Sequence, residues 1–175
     1  PDPERGSVCT AWCKILHPAD FALELDAHVL PESKGDLNNI NLFFSYSDPG
    51  GRPLLESRHE RRTGAYELYH DLNGHIITFL NETKEGVLDP ELSAQARIRI
   101  RRCPGFRLLA ESFGYHARKG HTYHLRVLRQ GGRISFAVDG QGLLEAADPY
   151  PLGGGHLGLR TYKTFLWWAN VNLRA

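Results

Sequence analysis

The chain has 175 residues, enough for one sizeable hydrophobic core but too few for two comfortable domains, so we expect a single domain over residues 1–175. Hydrophobic residues make up 41% of the sequence and charged residues 23%, which are globular values that exclude wholesale disorder. A formal net charge of +1 argues against a nucleic-acid-binding protein, because binding by counterion release needs a basic excess.

The N-terminus and the cysteines bear on processing and compartment. The chain opens with Pro1-Asp2-Pro3-Glu4 and contains no methionine, which indicates a processed or trimmed protein, and no signal peptide or membrane span is visible. Cys9, Cys13 and Cys103 lack the second ligand pair of a zinc signature, so we expect no metal site there. One disulfide with a free thiol and three reduced thiols both stay open.

Alternation of apolar and polar residues predicts strands along almost the whole chain, because successive strand side chains point to opposite faces. The only run with weak helical spacing covers residues 89–96. In chain order, the predicted strands cover residues 21–29, 39–46, 65–71, 75–82, 97–102, 106–111, 122–129, 133–139, 156–161 and 166–173.

Strong turn sequences separate these strands, including Asp-Pro-Gly-Gly at 48–51, Asn-Gly at 73–74 and Gly-Gly-Gly at 153–155. With 18 glycines and 10 prolines, this pattern predicts an all-β antiparallel β-sandwich or jelly roll. The period-2 positions expected to be buried are Phe21, Leu23, Leu25, Leu42, Phe44, Val127, Phe136 and Val138.

The most informative stretch covers residues 64–106, where His, Asn, Arg and aromatic residues lie on predicted strands. Over residues 75–82, one strand face carries His75, Ile77, Phe79 and Asn81, and the other carries Ile76, Thr78, Leu80 and Glu82. Because His and Asn lie beside an aromatic ring on the first face, we expect that face to form a groove for a hydroxyl-rich or acidic ligand. Tyr69 or His70, at the end of the preceding short strand, should point into the same groove.

An arginine-rich strand follows. Arg97, Arg99 and Arg101 alternate with Ile98 and Ile100, which predicts three guanidinium groups on one sheet face and two isoleucines in the core. A solvated outer face and an anion-binding site are both compatible with this pattern. If the second holds, Arg99 or Arg101 would bind a ligand carboxylate through a bidentate fork.

The C-terminal hairpin over residues 123–140, the Gly-Gly-Gly-His-Leu-Gly-Leu-Arg stretch and the closing Trp-Trp strand resemble the concanavalin-type, laminin-G-like sandwich. That resemblance implies a last strand beside the first and one concave sheet. The whole chain from Trp12 resembles the YesU-like family of bacterial jelly rolls. The matching stretches are residues 35–39, 48–49, 69–70, 101–106, 108–110, 132–140 and 155–161.

Members of that family accompany genes for the breakdown of uronate-containing polysaccharides, so the resemblance implies a uronate-containing glycan as partner. We accordingly expect a secreted or periplasmic protein, with a cytoplasmic location as the alternative, that is a monomer or small homo-oligomer. Neither a nucleic acid nor a membrane is an expected partner.

The leading functional hypothesis is a polysaccharide lyase that works by β-elimination. Such an enzyme needs a group that neutralises the uronate carboxylate, a base and an acid. The residues expected to transfer protons are Tyr69, His70 and His75, and those expected to bind substrate are Asn41, Asn81, Arg99, Arg101, Lys163 and Trp167. A non-catalytic carbohydrate-binding module is the alternative.

Two further readings have weaker support. A glycoside hydrolase needs two carboxylates on one face, and Glu24 and Asp26 are the pair with suitable spacing. No cofactor is predicted, although a structural calcium ion on the loop residues Asp36, Asp48 and Asp148 stays open.

Overall fold

The computed structural model describes residues 8–34, 37–83 and 94–175. In these ranges the chain forms eleven strands and two short 3₁₀ turns, at Glu56–Arg61 and Tyr66–Tyr69. The strands are β1 (Val8–His17), β2 (Phe21–Val29), β3 (Ile40–Ser47), β4 (Asn73–Thr83), β5 (Ala94–Cys103), β6 (Arg107–Ser112), β7 (Thr122–Gln130), β8 (Arg133–Val138), β9 (Gln141–Ala147), β10 (Gly155–Tyr162) and β11 (Leu166–Arg174).

Two antiparallel sheets pack face to face, so the predicted all-β sandwich is confirmed. One sheet has six strands in the order β1-β10-β3-β4-β5-β6, and the other has five in the order β11-β2-β7-β8-β9. The last strand lies beside β2, the first strand that the sequence predicted. The pattern had missed β1, which pairs with β10, and β9, which pairs with β8.

Two local predictions differ from the structure. The stretch 65–71, expected as a strand, contains the 3₁₀ turn Tyr66–Tyr69, because it belongs to a loop that crosses the sheet instead of pairing with it. Of the stretch with weak helical spacing, residues 94–96 belong to β5, and residues 89–93 lie outside the described ranges.

The core between the sheets follows the predicted alternation. Along β2, every second residue is buried, because that strand presents one face to the six-stranded sheet. All eight residues that the sequence marked as core have at most 2% of their surface exposed. Ile98 and Ile100 of β5 are also fully buried, as their alternation with arginines predicted.

A second apolar cluster covers part of the outer face of the six-stranded sheet. The outer faces of β3, β4 and β5 carry apolar side chains that water would otherwise contact. The loop over residues 48–72, which contains both 3₁₀ turns, packs on them. The cluster consists of Phe43, Tyr46, Leu54, Tyr69, Leu72, Ile76 and Cys103, all buried. This cover leaves only the remainder of the outer face open to a ligand.

His75 and Asn81 lie on the core side of β4, so the groove predicted on that face is wrong. Ile77 and Phe79, which share this face, belong to the core between the sheets. Asn81 uses its amide to donate to the backbone carbonyl of Ala117 at 2.6 Å and to accept from the backbone N–H of Ala117 at 3.0 Å. The five-stranded sheet covers this face, which no strand-local pattern revealed.

His75 is a fully buried member of an ionic network. Its Nε2 lies 3.0 Å from Asp148 Oδ2, to which Arg102 Nε also donates at 3.0 Å. Burial lowers the pKa of His75 to about 4, against the opposing effect of Asp148, so the imidazole is neutral at neutral pH and donates to the carboxylate. Burial raises the pKa of Asp148, but the hydrogen bonds from the Tyr150 backbone N–H and His75 outweigh it and keep that pKa below its usual value.

Buried neutral His75 should make folding stability depend on pH. Its pKa is about 4 in the folded chain and about 6.5 when unfolded, so the unfolded chain binds a proton first as pH falls. The contribution of His75 is complete above about pH 6.5 and is lost as pH falls towards about pH 4. We expect a loss of about 1.4 kcal/mol per pH unit in this window from this group.

Urea unfolding of the wild type and of His75→Gln through this pH window measures the effect. The variant should show a smaller decrease in the free energy of unfolding per pH unit, because glutamine does not titrate. His121→Gln is the matched control, because it makes the same substitution at an imidazole that is 54% exposed. An unchanged slope in His75→Gln would show that His75 does not govern acid sensitivity.

Candidate functional site

A row of polar residues crosses the outer face of the six-stranded sheet. The strand register places Arg160 of β10 opposite Asn41 of β3, Asn41 opposite Thr78 of β4, and Thr78 opposite Arg99 of β5. Directly opposite side chains in an antiparallel pair lie about 5 Å apart, so the row forms one continuous surface. Asn41 and Arg99 were predicted to bind substrate, and the structure brings them together with two residues that were not.

The row forms the floor of a groove of about 390 Å³, which we call the main groove. One wall comes from the loop over residues 63–67, and another from Phe106 in the turn between β5 and β6. The side chains that line it are Val8, Asn39, Asn41, Thr63, Ala65, Tyr66, Glu67, Thr78, Leu80, Arg99, Arg101, Phe106, Arg160 and Tyr162, together with Gly64.

The amide at the centre of the floor is held in one orientation. Thr78 donates its hydroxyl proton to Asn41 Oδ1 at 2.8 Å, and Asn41 Nδ2 donates to Asn39 Oδ1. All three side chains are buried. A ligand therefore meets polar groups whose directions are already fixed, which lowers the entropy lost on binding.

Arg99 and Arg101 differ in how their charges are balanced. Arg99 Nε donates to Glu111 Oε1 at 2.6 Å, so a carboxylate already compensates its charge. Arg101 instead donates to the backbone carbonyl of Phe106 at 3.0 Å, and its guanidinium carbon lies 4.3 Å from the centre of the Phe106 ring. The carbonyl and the ring fix the position of Arg101 without neutralising it.

Arg160 is the most buried cation of the groove, with 3% of its surface exposed. It donates to the Gly64 carbonyl at 3.0 Å and lies 4.7 Å from the centre of the Tyr66 ring, while its Nε has no hydrogen-bond partner among the described residues. Burial lowers the pKa of Arg160 and of Arg101, yet an arginine stays charged at physiological pH. Within residues 8–34, 37–83 and 94–175, neither guanidinium forms an ion pair with a carboxylate.

Two of the residues that line the main groove are the aromatic residues Tyr66 and Phe106. Tyr66 and Phe106 pack edge to face, with ring centres 5.2 Å apart. Burial raises the pKa of Tyr66, so its hydroxyl keeps its proton at neutral pH and can donate a hydrogen bond. Among the described residues that line the groove, Glu67 is the one carboxylate beside three arginines, so their formal charges sum to a positive value.

Tyr69 and His70, expected as proton carriers, do not line the main groove. Tyr69 is buried in the second apolar cluster, and its hydroxyl donates to Thr10 Oγ1 at 3.4 Å. His70 stacks on the Phe106 ring, with ring centres 3.8 Å apart, and its buried Nε2 finds no hydrogen-bond partner in the part of the chain that the structure describes. Burial lowers the pKa of His70, which favours the neutral imidazole. The turn Tyr66–Tyr69 therefore supplies Tyr66 to the groove instead.

The remaining two predicted binding residues have different positions. Lys163 is exposed and follows Tyr162, with its Nζ 5.3 Å from the centre of that ring, so it lies at the edge of the main groove. Trp167 belongs to β11 of the five-stranded sheet, where it stacks on His28 and is 41% exposed. Because the main groove lies on the six-stranded sheet, Trp167 is not part of it. Stacking of Trp167 on a sugar ring stays a prediction, and it would require a separate binding site on the five-stranded sheet.

The carboxylates considered for hydrolysis or calcium are engaged elsewhere. Glu24 and Asp26 lie on β2 in the five-stranded sheet, and Asp26 accepts hydrogen bonds from His124 and Asn170. Asp48 forms an ion pair with Arg52, whereas Asp148 belongs to the His75 network and Asp36 lies outside the described residues. Across the described ranges, no group of three or more His, Cys, Asp or Glu side chains is arranged to hold a metal ion.

All three cysteines are free thiols. No helix in the described part of the chain has the length and hydropathy to cross a membrane.

Sequence reasoning missed Arg160, Thr78 and Tyr66. The alternation of Leu157 and Leu159 with Gly158 and Arg160 does place the arginine on an outward face, and that signal was available. Its position beside Asn41 depends on pairing between β10 and β3, which are far apart in the chain.

Comparisons with solved structures identify proteins of the same fold. A Bacillus subtilis protein of unknown function with a galectin-like fold has a TM-score of 0.77 and 20% identity, over 95% of this chain and 77% of that one. Carbohydrate-binding module CBM66 from Bacillus subtilis has a TM-score of 0.63 and 14% identity, over 97% and 83% of the two chains. A Bacillus licheniformis β-glucanase has a TM-score of 0.52 and 11% identity, over 94% and 68%.

At these identities the likeness is one of fold, and the same fold occurs in a binding module and in an enzyme. A search of curated protein sequences finds no relative. The sequence also matches a protein family over almost its whole length. The profile of a family described as a domain of unknown function, DUF1961, matches residues 4–170, and the chain therefore belongs to that family.

Proposed function

We propose that the chain binds a uronate-containing glycan in the main groove. The observation that carries this proposal is the pair of guanidinium groups of Arg101 and Arg160, which form no ion pair with any carboxylate of the described residues. Removing a charge from water costs several kcal/mol unless a partner compensates it. A ligand carboxylate would supply that partner through charge-assisted hydrogen bonds, which are among the strongest in proteins.

The other lining residues suit the rest of a sugar ring. Asn41 and Thr78 offer amide and hydroxyl groups to sugar hydroxyls, while Tyr66 and Phe106 offer apolar ring surface to the C–H groups. A carbohydrate-binding module among the structures of the same fold supports a glycan ligand. The resemblance to YesU-like proteins, which accompany uronate-degrading genes, supports an acidic one. Location outside the cytoplasm and a monomeric or small oligomeric state stay predictions.

The role of the carboxylate can be tested by calorimetric titration with a galacturonate trisaccharide and with its methyl ester. Esterification removes the charge but keeps the ring and its hydroxyls, so we expect the ester to bind at least about tenfold more weakly. Arg160→Gln should cause a similar loss with the acid and little loss with the ester. Equal affinity for the acid and the ester would contradict the proposal.

Arg160→Gln should weaken binding without lowering the melting temperature, because it removes a buried charge that has no carboxylate partner. The control is Arg126→Gln, which removes an exposed arginine from the outer face of the five-stranded sheet. That variant should bind the trisaccharide as the wild type does. If Arg160→Gln instead lowers the melting temperature and leaves affinity intact, Arg160 is a structural residue.

A second candidate function is β-elimination on the same ligand, favoured by the position of Tyr66. Its hydroxyl interacts with Thr78 beside the cationic Arg160, and the neighbouring Glu67 is the carboxylate that lines the groove. In such a reaction a base removes the proton at C5, the C4–O bond breaks, a C4=C5 double bond forms and an acid protonates the leaving oxygen. Tyr66, with its proton retained, would be the acid, and Glu67 the base.

The ultraviolet absorbance of the unsaturated product decides between the two functions. A lyase would raise this absorbance on polygalacturonate, and Tyr66→Phe would abolish the rise while leaving binding measurable. His70→Ala is the comparison variant, because the His70 side chain is not among the residues that line the main groove and its removal should leave activity in place. Tight binding without product from acidic to alkaline pH would identify a binding module.

A further inference from the structure

A second cleft adjoins the main groove on the same side of the protein. It has a volume of about 520 Å³. Its lining includes Thr10 and Trp12 of β1, Tyr69, and the residues Arg58, His59 and Arg61 of the first 3₁₀ turn. Val8 and Gly64 line both cavities, so they form the ridge between them. We call this cavity the second cleft.

The sheet register makes the two cavities close neighbours. Thr10 of the second cleft is paired directly with Arg160 of the main groove, so the polar row continues from one cavity into the other. One of the two ridge residues is a glycine, which adds no side chain to the ridge. A side chain at Gly64 would place its Cβ 2.8 Å from Val8 Cγ1, and Gly64 has a φ of +68°, which glycine adopts most readily.

The second cleft repeats the charge of the main groove. Arg58, His59 and Arg62 are exposed at its lining, and no carboxylate is among the described residues that line it. Glu60, which lies between His59 and Arg61 in the sequence, forms an ion pair with Arg52 at 2.8 Å. The floor is polar where the Tyr69 hydroxyl meets Thr10 Oγ1. Two adjacent cationic cavities with polar floors suit a ligand that carries repeated negative charges.

We propose that the ligand is an acidic oligosaccharide that crosses the ridge at Gly64 and places a further uronate in the second cleft, against Arg58 and Arg62. This inference rests on the proposed function of the main groove and extends it to the length and repeating charge of the glycan. A short galacturonate would fill only the main groove. A longer one would gain the contacts of the second cleft, and its affinity would rise accordingly.

Titration with galacturonates from the disaccharide to the hexasaccharide tests this length dependence. We expect the affinity of the wild-type chain to rise by about tenfold or more once the ligand reaches the second cleft. In the double variant Arg58→Ser, Arg62→Ser, short galacturonates should bind as they do to the wild type, but the rise with length should disappear. Both arginines are exposed, so the variant should keep the wild-type melting temperature.

The matched control is the double variant Arg126→Ser, Arg133→Ser, which removes the same charge from exposed positions of the five-stranded sheet. It should keep the rise with length, which separates local contacts from general electrostatic attraction. A rise that persists without Arg58 and Arg62, or a wild type with no rise, would overturn the inference while leaving the main groove in place. If no galacturonate binds at any length, the proposed function fails as well.

Discussion

The register among β10, β3, β4 and β5 is the constraint on which the main groove depends. It aligns Arg160, Asn41, Thr78 and Arg99 in one row, although these residues come from distant parts of the chain. A shift of one residue in any of these strands would reverse its faces, so that an apolar residue such as Ile77 would replace Thr78 at the surface. Packing of the core between the sheets therefore also fixes which residues form the polar row.

The loop over residues 48–72 limits where a ligand can bind. Tyr69, near the end of this loop, anchors it in the second apolar cluster, and that cluster closes part of the outer sheet face. Tyr66, one 3₁₀ turn earlier, lines the main groove instead. Gly64 and Arg61 precede it and lie at the second cleft. One segment thus covers apolar surface that would be costly to expose and shapes both cavities.

Two buried charged groups of this protein, Asp148 and Arg160, differ in whether an opposite charge compensates them. Arg102 and His75 share the carboxylate of Asp148, so the buried negative charge of that network is compensated and the network contributes to the fold. Arg160 is as deeply placed, yet carbonyl and aromatic contacts hold it without neutralising it. An unpaired buried cation lowers stability, and such a cost is expected at sites that bind an anion.

Most of the strands, the antiparallel sandwich and the core positions follow from the sequence alone, because alternation between two sheet faces is a local property of each strand. The pattern missed β1 and β9 and predicted a strand over residues 65–71, where the chain forms a 3₁₀ turn. It also placed the arginines and isoleucines of β5 on opposite faces. The pattern did not show which face of β4 meets the other sheet, because both faces carry apolar and polar residues. Both faces are also largely buried. The five-stranded sheet covers one of them, and the loop over residues 48–72 covers part of the other. Thr78 lies in the groove and His75 in the core as a result of tertiary packing, because the face that each strand turns to the other sheet depends on pairing between distant strands.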